Sequence, residues 1–470
     1  MRTRLHHIGL IVLGVLLGVA ISLNFSAVAQ RDAPKSLPIE ELRAFTEVFG
    51  RVKTDYVDQV DDRKLITEAI NGMLTGLDPH SAYLDQEAFK EMQVGTQGEF
   101  GGLGIEVGME DGFVKVVSPI DDSPASRAGI KSGDLIVRLN DAAVKGMTLN
   151  DAVKRMRGKP NTQITLTIVR KGEPKPLVVT LTRAVIKIQS VKSKLLEPGY
   201  VYFRVTQFQE HTGEYLAREI EKLFKANQGP VRGLVLDLRN DPGGLLNGAV
   251  AVSAAFLPAG SLVVYTDGRT DDAKMRLNAN PEHYLRGRGR EDYVKRLPPE
   301  LKTVPMVVLV NGGSASASEI VAGALQDHQR AVIMGQNTFG KGSVQTILPL
   351  NNNTAIKLTT ARYFTPNGRS IQAKGITPDI LLDDGSAERG AALRLREADL
   401  TKHLIGDAKD EKPAPEASGR KFDFTPTPRP KDLDDKATRP EPGEVVSKND
   451  YELNQAVAFL KTRNGGAKAN

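Results

Sequence analysis

The chain has 470 residues, of which 40% are hydrophobic and 26% charged, with a formal net charge of +6 and no cysteine. Its length exceeds one ordinary domain, and its composition is not that of a multi-pass membrane protein or a wholly disordered chain. The lack of cysteine excludes disulfides, thiolate metal sites, cysteine nucleophiles and lipid attachment through cysteine. Because the small positive surplus forms no basic block, we expect no nucleic-acid partner.

The first segment has the order of a secretory signal. Basic residues at Arg2 and Arg4 precede an uncharged, mostly apolar run over 8–23, and Ala27 and Ala29 provide a small-x-small cleavage site. The apolar run is short for a membrane-spanning helix, which needs about 20 residues. We predict a signal peptide over 1–29 and a location in a bacterial periplasm. An uncleaved inner-membrane anchor is the alternative.

The sequence pattern changes twice after the signal. Apolar residues at three- and four-residue spacing predict short amphipathic helices in the segment 30–97, which we expect to pack on another domain or on a second copy of the chain. Short apolar runs separated by glycine and turn residues then predict a small β domain over 98–184.

Residues 185–384 alternate strand and helix patterns. The near-continuous apolar runs at 231–238 and 304–310 are typical of buried strands. Each run ends in a glycine-rich turn, at 241–244 and at 311–314, that opens a helix. Such turns carry reactive groups in many α/β enzymes because helix N-termini offer free backbone N–H groups.

The remaining segment, 385–470, is polar. Proline and charged residues are concentrated over 408–444, which predicts a disordered linker. A last amphipathic pattern over 451–461 predicts a helix that docks back on the body of the protein.

The histidines do not indicate a metal site, because they are scattered along the sequence and lack HExxH-type spacing. A serine–histidine–aspartate triad would need a nucleophile elbow of the form G-x-S-x-G, which is absent. His328 lies twelve residues after Ser316 and could be brought near that serine by the fold, so this triad is kept as an alternative.

Serines alternate with alanines at the start of the helix after the second buried run, at Ser314, Ser316 and Ser318. A nucleophile here would have its oxyanion stabilised by N-terminal amides of the helix. The plainer interpretation is that one serine caps the helix and the others are small packing residues.

Lys341 lies between two glycines inside a hydrophobic β segment. Burial there would lower the pKa of its ammonium group, and the neutral amine could take a proton from a serine. The plainer interpretation is a surface lysine with a buried stem.

Three segments, 237–244, 313–319 and 339–342, resemble the carboxyl-terminal processing (tail-specific) serine proteases in order and in spacing. The likeness runs from about residue 40 to 385. It implies that Ser316 is the nucleophile and that Lys341, twenty-five residues later, is the base. It also implies that Gln345 orients the lysine.

The same resemblance implies an oxyanion hole formed by the amide of Ala317 and by one from Gly243 or Gly244. It further identifies 98–184 as a PDZ domain, whose strand edge and helix would bind a peptide as an additional strand. The backbone N–H groups of its loop would bind the terminal carboxylate of a substrate. The residues of this tail-binding loop are Gly102, Leu103, Gly104 and Ile105.

We therefore expect a multidomain α+β protein with N-terminal helices, a PDZ β-sandwich-like domain, an α/β protease core of the ClpP/crotonase type and a partly disordered C-terminal extension. The resemblance implies a serine endopeptidase that binds protein substrates by their C-terminal tails, without metal or cofactor. An adaptor protein and a homo-oligomer built on the helical segments are further expected partners. One alternative is a non-catalytic PDZ scaffold, which would gain nothing from having Ser316, Lys341 and Gln345 together. Another is an enoyl-CoA hydratase-like enzyme, but export and the PDZ domain both argue against a coenzyme A substrate.

Overall fold

The computed structural model describes residues 37–120, 123–287, 289–382, 395–406, 422–430 and 444–465. The predicted signal over 1–29 and most of the linker predicted over 408–444 lie outside these residues. Within the described ranges, no helix combines the length and the apolar character needed to cross a membrane.

The structure is built from short helices and many strands. The α-helices are α1 Ile39–Asp55, α2 Asp62–Thr75, α3 Gln86–Gln97, α4 Pro124–Arg127, α5 Leu149–Met156, α6 Thr212–Ala226, α7 Leu246–Phe256, α8 Pro281–Tyr284, α9 Ala317–Asp327 and α10 Tyr451–Gly465. The strands are β1 Ala82–Leu84, β2 Glu99–Gly102, β3 Ile105–Glu110, β4 Phe113–Pro119, β5 Leu135–Leu139, β6 Ala142–Ala143, β7 Gln163–Val169, β8 Leu177–Thr182, β9 Ala184–Lys187, β10 Val191–Glu197, β11 Tyr200–Val205, β12 Gly233–Asp237, β13 Leu262–Gly268, β14 Arg276–Asn278, β15 Met306–Val310, β16 Val332–Gly335, β17 Ser343–Pro349, β18 Ala355–Phe364 and β19 Ile380–Leu381.

The described residues divide into two units, one up to residue 70 and one from residue 71 onward. In the first, α1 is amphipathic, but none of its residues is buried. Its apolar face, defined here as Leu42, Phe45 and Val48, is 47%, 52% and 61% exposed. Large apolar side chains with this exposure commonly mark a surface that contacts another protein.

The small β domain is an antiparallel sheet in the order β3-β4-β5-β7-β8, with β6 paired to β5. Strands β4, β5 and β7 direct alternate side chains into one core, as their burial patterns show. Helix α5 begins with a capping box in which Thr148 and Asp151 satisfy each other's backbone N–H groups. Since β3 is an edge strand of this sheet, its outer edge has no strand partner among the described residues.

The larger core is organised around a six-stranded sheet in the order β10-β11-β12-β15-β16-β19. Within this sheet, neighbouring strands run parallel from β11 through β12, β15 and β16 to β19, and β10 is antiparallel to β11. Every residue of β12, β15 and β16 is buried, which explains their continuous apolar sequences.

Both faces of the sheet are covered. Helices α6, α7 and α9 bury residues such as Leu216, Phe256 and Ile320 on one face. On the other face, α10 buries Phe459 and Leu460 against strand residues of the same sheet. The helix predicted near the end of the chain thus docks on this face of the sheet.

A second sheet, in the order β1-β18-β13-β14 with β17 also paired to β18, flanks this core. The turns after β12, β15 and β16 all leave the same, carboxyl, edge of the parallel strands. Candidate site residues from these turns therefore meet at one edge. Apart from the linker outside the described residues, the expected multidomain α+β fold class is confirmed.

Candidate active site

Ser316 occupies a strained position at the junction of a buried strand and a helix. It follows β15 and immediately precedes α9, with φ at 56° and ψ at −113°. Non-glycine residues seldom adopt a positive φ, and such strain persists only where the surroundings impose it. Here the backbone N–H of Ser316 donates to the Glu319 carboxylate at 2.8 Å, and its carbonyl accepts from Ile320 at 3.0 Å.

The turn that carries Ser316 is joined to the turn after β12. The Asn240 N–H donates to Asn311 Oδ1 at 2.9 Å, and Asn311 Nδ2 returns a bond to Asn240 Oδ1 at 3.1 Å. The Asp241 carbonyl accepts from Ala315 N–H and from the Ser318 hydroxyl, both at 3.0 Å. The two glycine-rich turns are therefore one hydrogen-bonded unit.

Glu319 connects the serine turn to the lysine loop. Its Oε2 accepts the backbone N–H of Ser316 at 2.8 Å and that of Lys341 at 2.9 Å. Its Oε1 accepts from Gly340 N–H at 2.7 Å and from the Thr338 hydroxyl at 2.5 Å. The two residues predicted as nucleophile and base thus share one carboxylate oxygen. Burial raises the pKa of this fully enclosed Glu319 carboxyl to about 7.

The Lys341 side chain has the electrostatic character required of a base. Burial, assisted by the Lys357 ammonium, lowers the pKa of Lys341 to about 8. Three carboxylates oppose this shift, namely Glu397, Glu319 and Asp78. Across the described ranges, the Lys341 ammonium donates no hydrogen bond, so burial rather than an ion pair governs its pKa.

Tyr363 of β18 lies against both predicted catalytic residues. Its hydroxyl donates to the Lys341 backbone carbonyl and lies near the Ser316 side chain. Its own N–H donates to the Gly342 carbonyl at 3.0 Å. Burial raises the pKa of this phenol well above its ordinary value, so the hydroxyl stays neutral.

Gln345 lies on β17 but is not hydrogen-bonded to Lys341. Its Nε2 donates to Ser343 Oγ at 3.0 Å and to Thr359 Oγ1 at 3.2 Å. The Thr359 hydroxyl in turn donates to Asp78 Oδ1 at 3.1 Å. The geometry links Gln345 to the surroundings of the lysine, and its orienting role stays a prediction.

The predicted oxyanion donors lie beside the serine. A side-chain carbon on Gly243 would come within 2.7 Å of the Ser316 Cβ and 2.8 Å of the Ala317 nitrogen, so only glycine allows this approach. The Gly243 N–H is already donated to Asp241 Oδ1 at 2.8 Å. Within the described part of the chain, the N–H groups of Gly244 and Ala317 donate no hydrogen bond.

Asp241 itself is fully buried next to these donors. Burial raises the pKa of its carboxyl to about 7. Its Oδ2 is enclosed and finds no hydrogen-bond partner in the described residues. Phe208 supports the turn from the other side, because its backbone accepts from Leu245 at 2.8 Å and donates to Gly243 at 2.9 Å.

The predicted tail-binding loop is a tight bend between β2 and β3. Gly104 has φ at 75°, and a Cβ there would lie 2.2 Å from the Ser123 Cβ, so glycine is required. The carbonyls of Leu103 and Gly104 are held by Ala125 N–H and Ile120 N–H at 3.0 and 2.9 Å. By contrast, the N–H groups of Leu103 and Gly104 donate to none of the described residues.

The groove next to this loop has the expected walls. Ile105 and Val107 of β3, with Leu149 and Val153 of α5, are half-buried against the same core. Gly102 ends β2, which pairs with β9. The four predicted loop residues therefore lead directly into an open strand edge.

The alternative triad through His328 is excluded by its position. His328 follows α9 at the end opposite Ser316, and a helix of this length spans roughly 16 Å. Its Nε2 is hydrogen-bonded to the Leu262 carbonyl at 2.7 Å. No group of acidic and histidine side chains in the described ranges could hold a metal ion.

Sequence reasoning missed Glu319, Tyr363 and Asp241. A signal existed for Glu319, because a serine followed three residues later by glutamate is the capping-box pattern at a helix start. Tyr363 and Asp241 carry no such local signal. Their importance depends on contacts between segments that are distant in the chain.

Comparisons with known proteins show the family of the chain. Sequence models match peptidase family S41 over residues 199–382, a PDZ domain over 101–181, and the N-terminal domain of the activating protease CtpB over 19–88. The carboxy-terminal-processing protease of Bartonella bacilliformis is 46% identical over 404 residues, covering 85% of this chain and 88% of that protein. The carboxy-terminal processing protease CtpA of Bacillus subtilis is 34% identical over 370 residues, covering 78% of this chain and 74% of the relative.

Among solved structures, the photosystem II D1 C-terminal processing protease is 30% identical and covers 75% of this chain and 98% of its own, at a TM-score of 0.39. The predicted resemblance and the predicted enzyme class are both confirmed by the sequence relatives. Because a relative 46% identical is covered over 88% of its length, the chain belongs to the carboxy-terminal-processing proteases, serine peptidases of family S41.

Proposed function

We propose that this chain is an exported endopeptidase that cleaves proteins near their C-termini through a Ser316–Lys341 dyad, with its PDZ domain binding the substrate tail. The observation that carries the proposal is the Glu319 carboxylate, whose Oε2 accepts the backbone N–H groups of both Ser316 and Lys341. A non-catalytic scaffold would gain nothing from that arrangement.

In the first half-reaction, neutral Lys341 accepts the proton of the Ser316 hydroxyl as Oγ forms a bond to the scissile carbonyl carbon. The carbonyl electrons move to oxygen, and the N–H groups of Gly244 and Ala317 stabilise this oxyanion. Gly243 is the less suitable donor because its N–H is held by Asp241. The Lys341 ammonium then gives its proton to the leaving amine, which leaves an acyl-enzyme.

In the second half-reaction, Lys341 takes a proton from a water molecule that attacks the acyl carbon. The tetrahedral intermediate uses the same two amides, and its collapse returns the proton to Ser316 Oγ. The product is released with a new carboxylate. Because only the neutral amine can start either step, kcat/KM should rise with pH through the Lys341 pKa of about 8.

Substrate selection is assigned to the edge of β3. The N–H groups of Leu103 and Gly104, which donate to none of the described residues, are suited to a terminal carboxylate, and a substrate tail can pair with β3 as an added strand. Apolar side chains of the last residues would contact Val107 and Val153, which are half-buried at this groove.

Location and assembly are proposed from the sequence pattern. The basic start, apolar run and small-x-small site over 1–29 favour export to a periplasm. The exposed apolar face of α1 favours self-association. An adaptor that delivers substrates remains a predicted partner.

The test is cleavage of a protein with an apolar C-terminal tail by the purified chain, beside Ser316→Ala and Lys341→Ala. We expect cleavage by the parent only, with all three chains binding the tail. Cleavage by Lys341→Ala would overturn the dyad. Tail binding without cleavage by any of the three would favour the scaffold instead.

A further inference from the structure

The guanidinium of Arg239 is buried at the start of the turn that carries Gly243 and Gly244. Its Nε and Nη2 donate to the two oxygens of the Asp237 carboxylate at 2.9 and 2.6 Å. Asp237 Oδ1 also accepts the backbone N–H of Arg239 at 2.9 Å. One carboxylate thus holds both the side chain and the backbone of Arg239, and so fixes the first bend of the turn.

The other donors of Arg239 are taken by the C-terminal helix region. Nη1 donates to Asp450 Oδ1 at 2.9 Å and to Glu452 Oε2 at 2.6 Å, and Nη2 donates to Asp450 Oδ2 at 2.7 Å. Asp450 also accepts the Leu453 N–H at 3.0 Å, so it caps the first turn of α10. The helix start and the active-site turn therefore meet at one guanidinium.

The charges around Arg239 show why these two carboxylates matter. Arg204 lies 3.6 Å from Asp237, and the Tyr202 hydroxyl donates to the same carboxylate at 2.7 Å. Without the charges of Asp450 and Glu452, two guanidinium groups would share the single Asp237 carboxylate. A buried guanidinium with too little opposing charge is costly, so Arg239 would move toward water and carry its backbone with it.

The rest of the turn is one hydrogen-bonded unit that begins directly after Arg239. Asn240, the next residue, has φ at 57° and is held through its contacts with Asn311. Gly243, a few residues further on, is held through its backbone, because its N–H donates to Asp241 Oδ1 at 2.8 Å and its carbonyl accepts from Phe208 N–H at 2.9 Å. A shift at Arg239 would therefore be passed along the backbone toward the Gly244 N–H.

We propose that Asp450 and Glu452 are positioning residues of the active site, which hold Arg239 and thereby set the turn that presents the Gly244 N–H to the oxyanion. This inference rests on the proposed function, since it gives Gly244 its role there. It assigns the C-terminal helix a part in catalysis without contact with substrate.

The docking of α10 on the sheet can be tested separately from the positioning of Arg239 by Asp450 and Glu452. Helix α10 packs on the sheet mainly through apolar side chains, including Ala456, Phe459 and Leu460, all of them buried. Amide replacements at Asp450 and Glu452 keep the size of each side chain and leave this apolar contact intact. Lys461, whose Nζ lies 2.6 Å from Glu197 Oε1, provides a matched ion pair at the far end of the same helix.

The experiment compares full-length parent, the double variant Asp450→Asn with Glu452→Gln, and the control Lys461→Gln on a tailed protein substrate. We expect kcat of the double variant to fall by at least about tenfold. The loss should be smaller than the about 10²–10³-fold loss that follows outright removal of an oxyanion donor. KM and tail affinity should stay at parental values, as should the far-UV circular dichroism. The control should keep the parental kcat.

A charge-retaining pair, Asp450→Glu with Glu452→Asp, is expected to recover most of the lost kcat. Parental kcat in the amide variant would overturn the inference, and so would an equal loss in Lys461→Gln, which would indicate general helix docking. If the parent itself cleaves no tailed substrate, the proposed function fails, and this inference fails with it.

Discussion

Replacing Glu319 separates the structural and the catalytic demands on this site. In Glu319→Gln, the new side-chain amide has lower free energy with its nitrogen toward Gly340 and Thr338. The Thr338 hydroxyl can rotate and accept a hydrogen bond from that nitrogen. The remaining oxygen still accepts the N–H groups of Ser316 and Lys341. In Glu319→Ala, all three backbone donors lose their acceptor.

The magnitudes follow from counting the donors left unpaired. Each buried unsatisfied group costs about 1–3 kcal/mol, so Glu319→Gln should lower the free energy of unfolding by about 1–3 kcal/mol and Glu319→Ala by about 3–9 kcal/mol. The glutamine variant keeps Ser316 and Lys341 on a common acceptor and should stay active. The alanine variant should lose on the order of 10²-fold in kcat, the scale of a 1 Å misplacement.

The assay pairs urea denaturation with steady-state cleavage of a tailed substrate for both variants. Glu300→Ala, on an exposed turn, is the control and should match the parent in stability and in kcat. Equal activity of Glu319→Ala and Glu319→Gln would refute the view that this carboxylate holds the dyad together.

Three further predictions concern the base, the tail-binding loop and the first helix. Lys357→Met removes a cation that lowers the Lys341 pKa, so the rise of kcat/KM with pH should move to higher pH; an unmoved profile would contradict this. Gly104→Ala should abolish tail binding in fluorescence anisotropy because its Cβ would strike Ser123, whereas Gly112→Ala, at a similar φ but in open space, should bind normally. Serine at the three positions of the apolar face of α1 should lower the mass measured by light scattering, and an unaltered mass would count against self-association through α1.

Much of the fold could be predicted from the sequence because its signals are local. The continuous apolar strands β12 and β15 and the glycine-rich turns after them follow from patterns within about ten residues. Ser316 and Lys341 could be named because the motifs that contain them keep a fixed order and spacing.

The rest of the site depends on contacts that no local pattern encodes. The Asp241 carboxylate decides which glycine can serve as an oxyanion donor. It accepts the Gly243 N–H, whereas the Gly244 N–H donates to none of the described residues. Tyr363 reaches Lys341 only because β18 pairs with β17 in a particular register. Gln345, assigned through the resemblance, contacts Ser343 and Thr359 because the same register directs it there.

The position of α10 also has a consequence for the order of synthesis. Asp450 lies 211 residues after the arginine that it holds. At a translation rate of about 5–20 residues per second, Asp450 is synthesised roughly 10–40 s after Arg239. Serine, lysine and tail groove are all made before that helix emerges. On the proposed function, a chain synthesised only as far as residue 449 would carry Ser316, Lys341 and the tail groove but not the two carboxylates that hold Arg239.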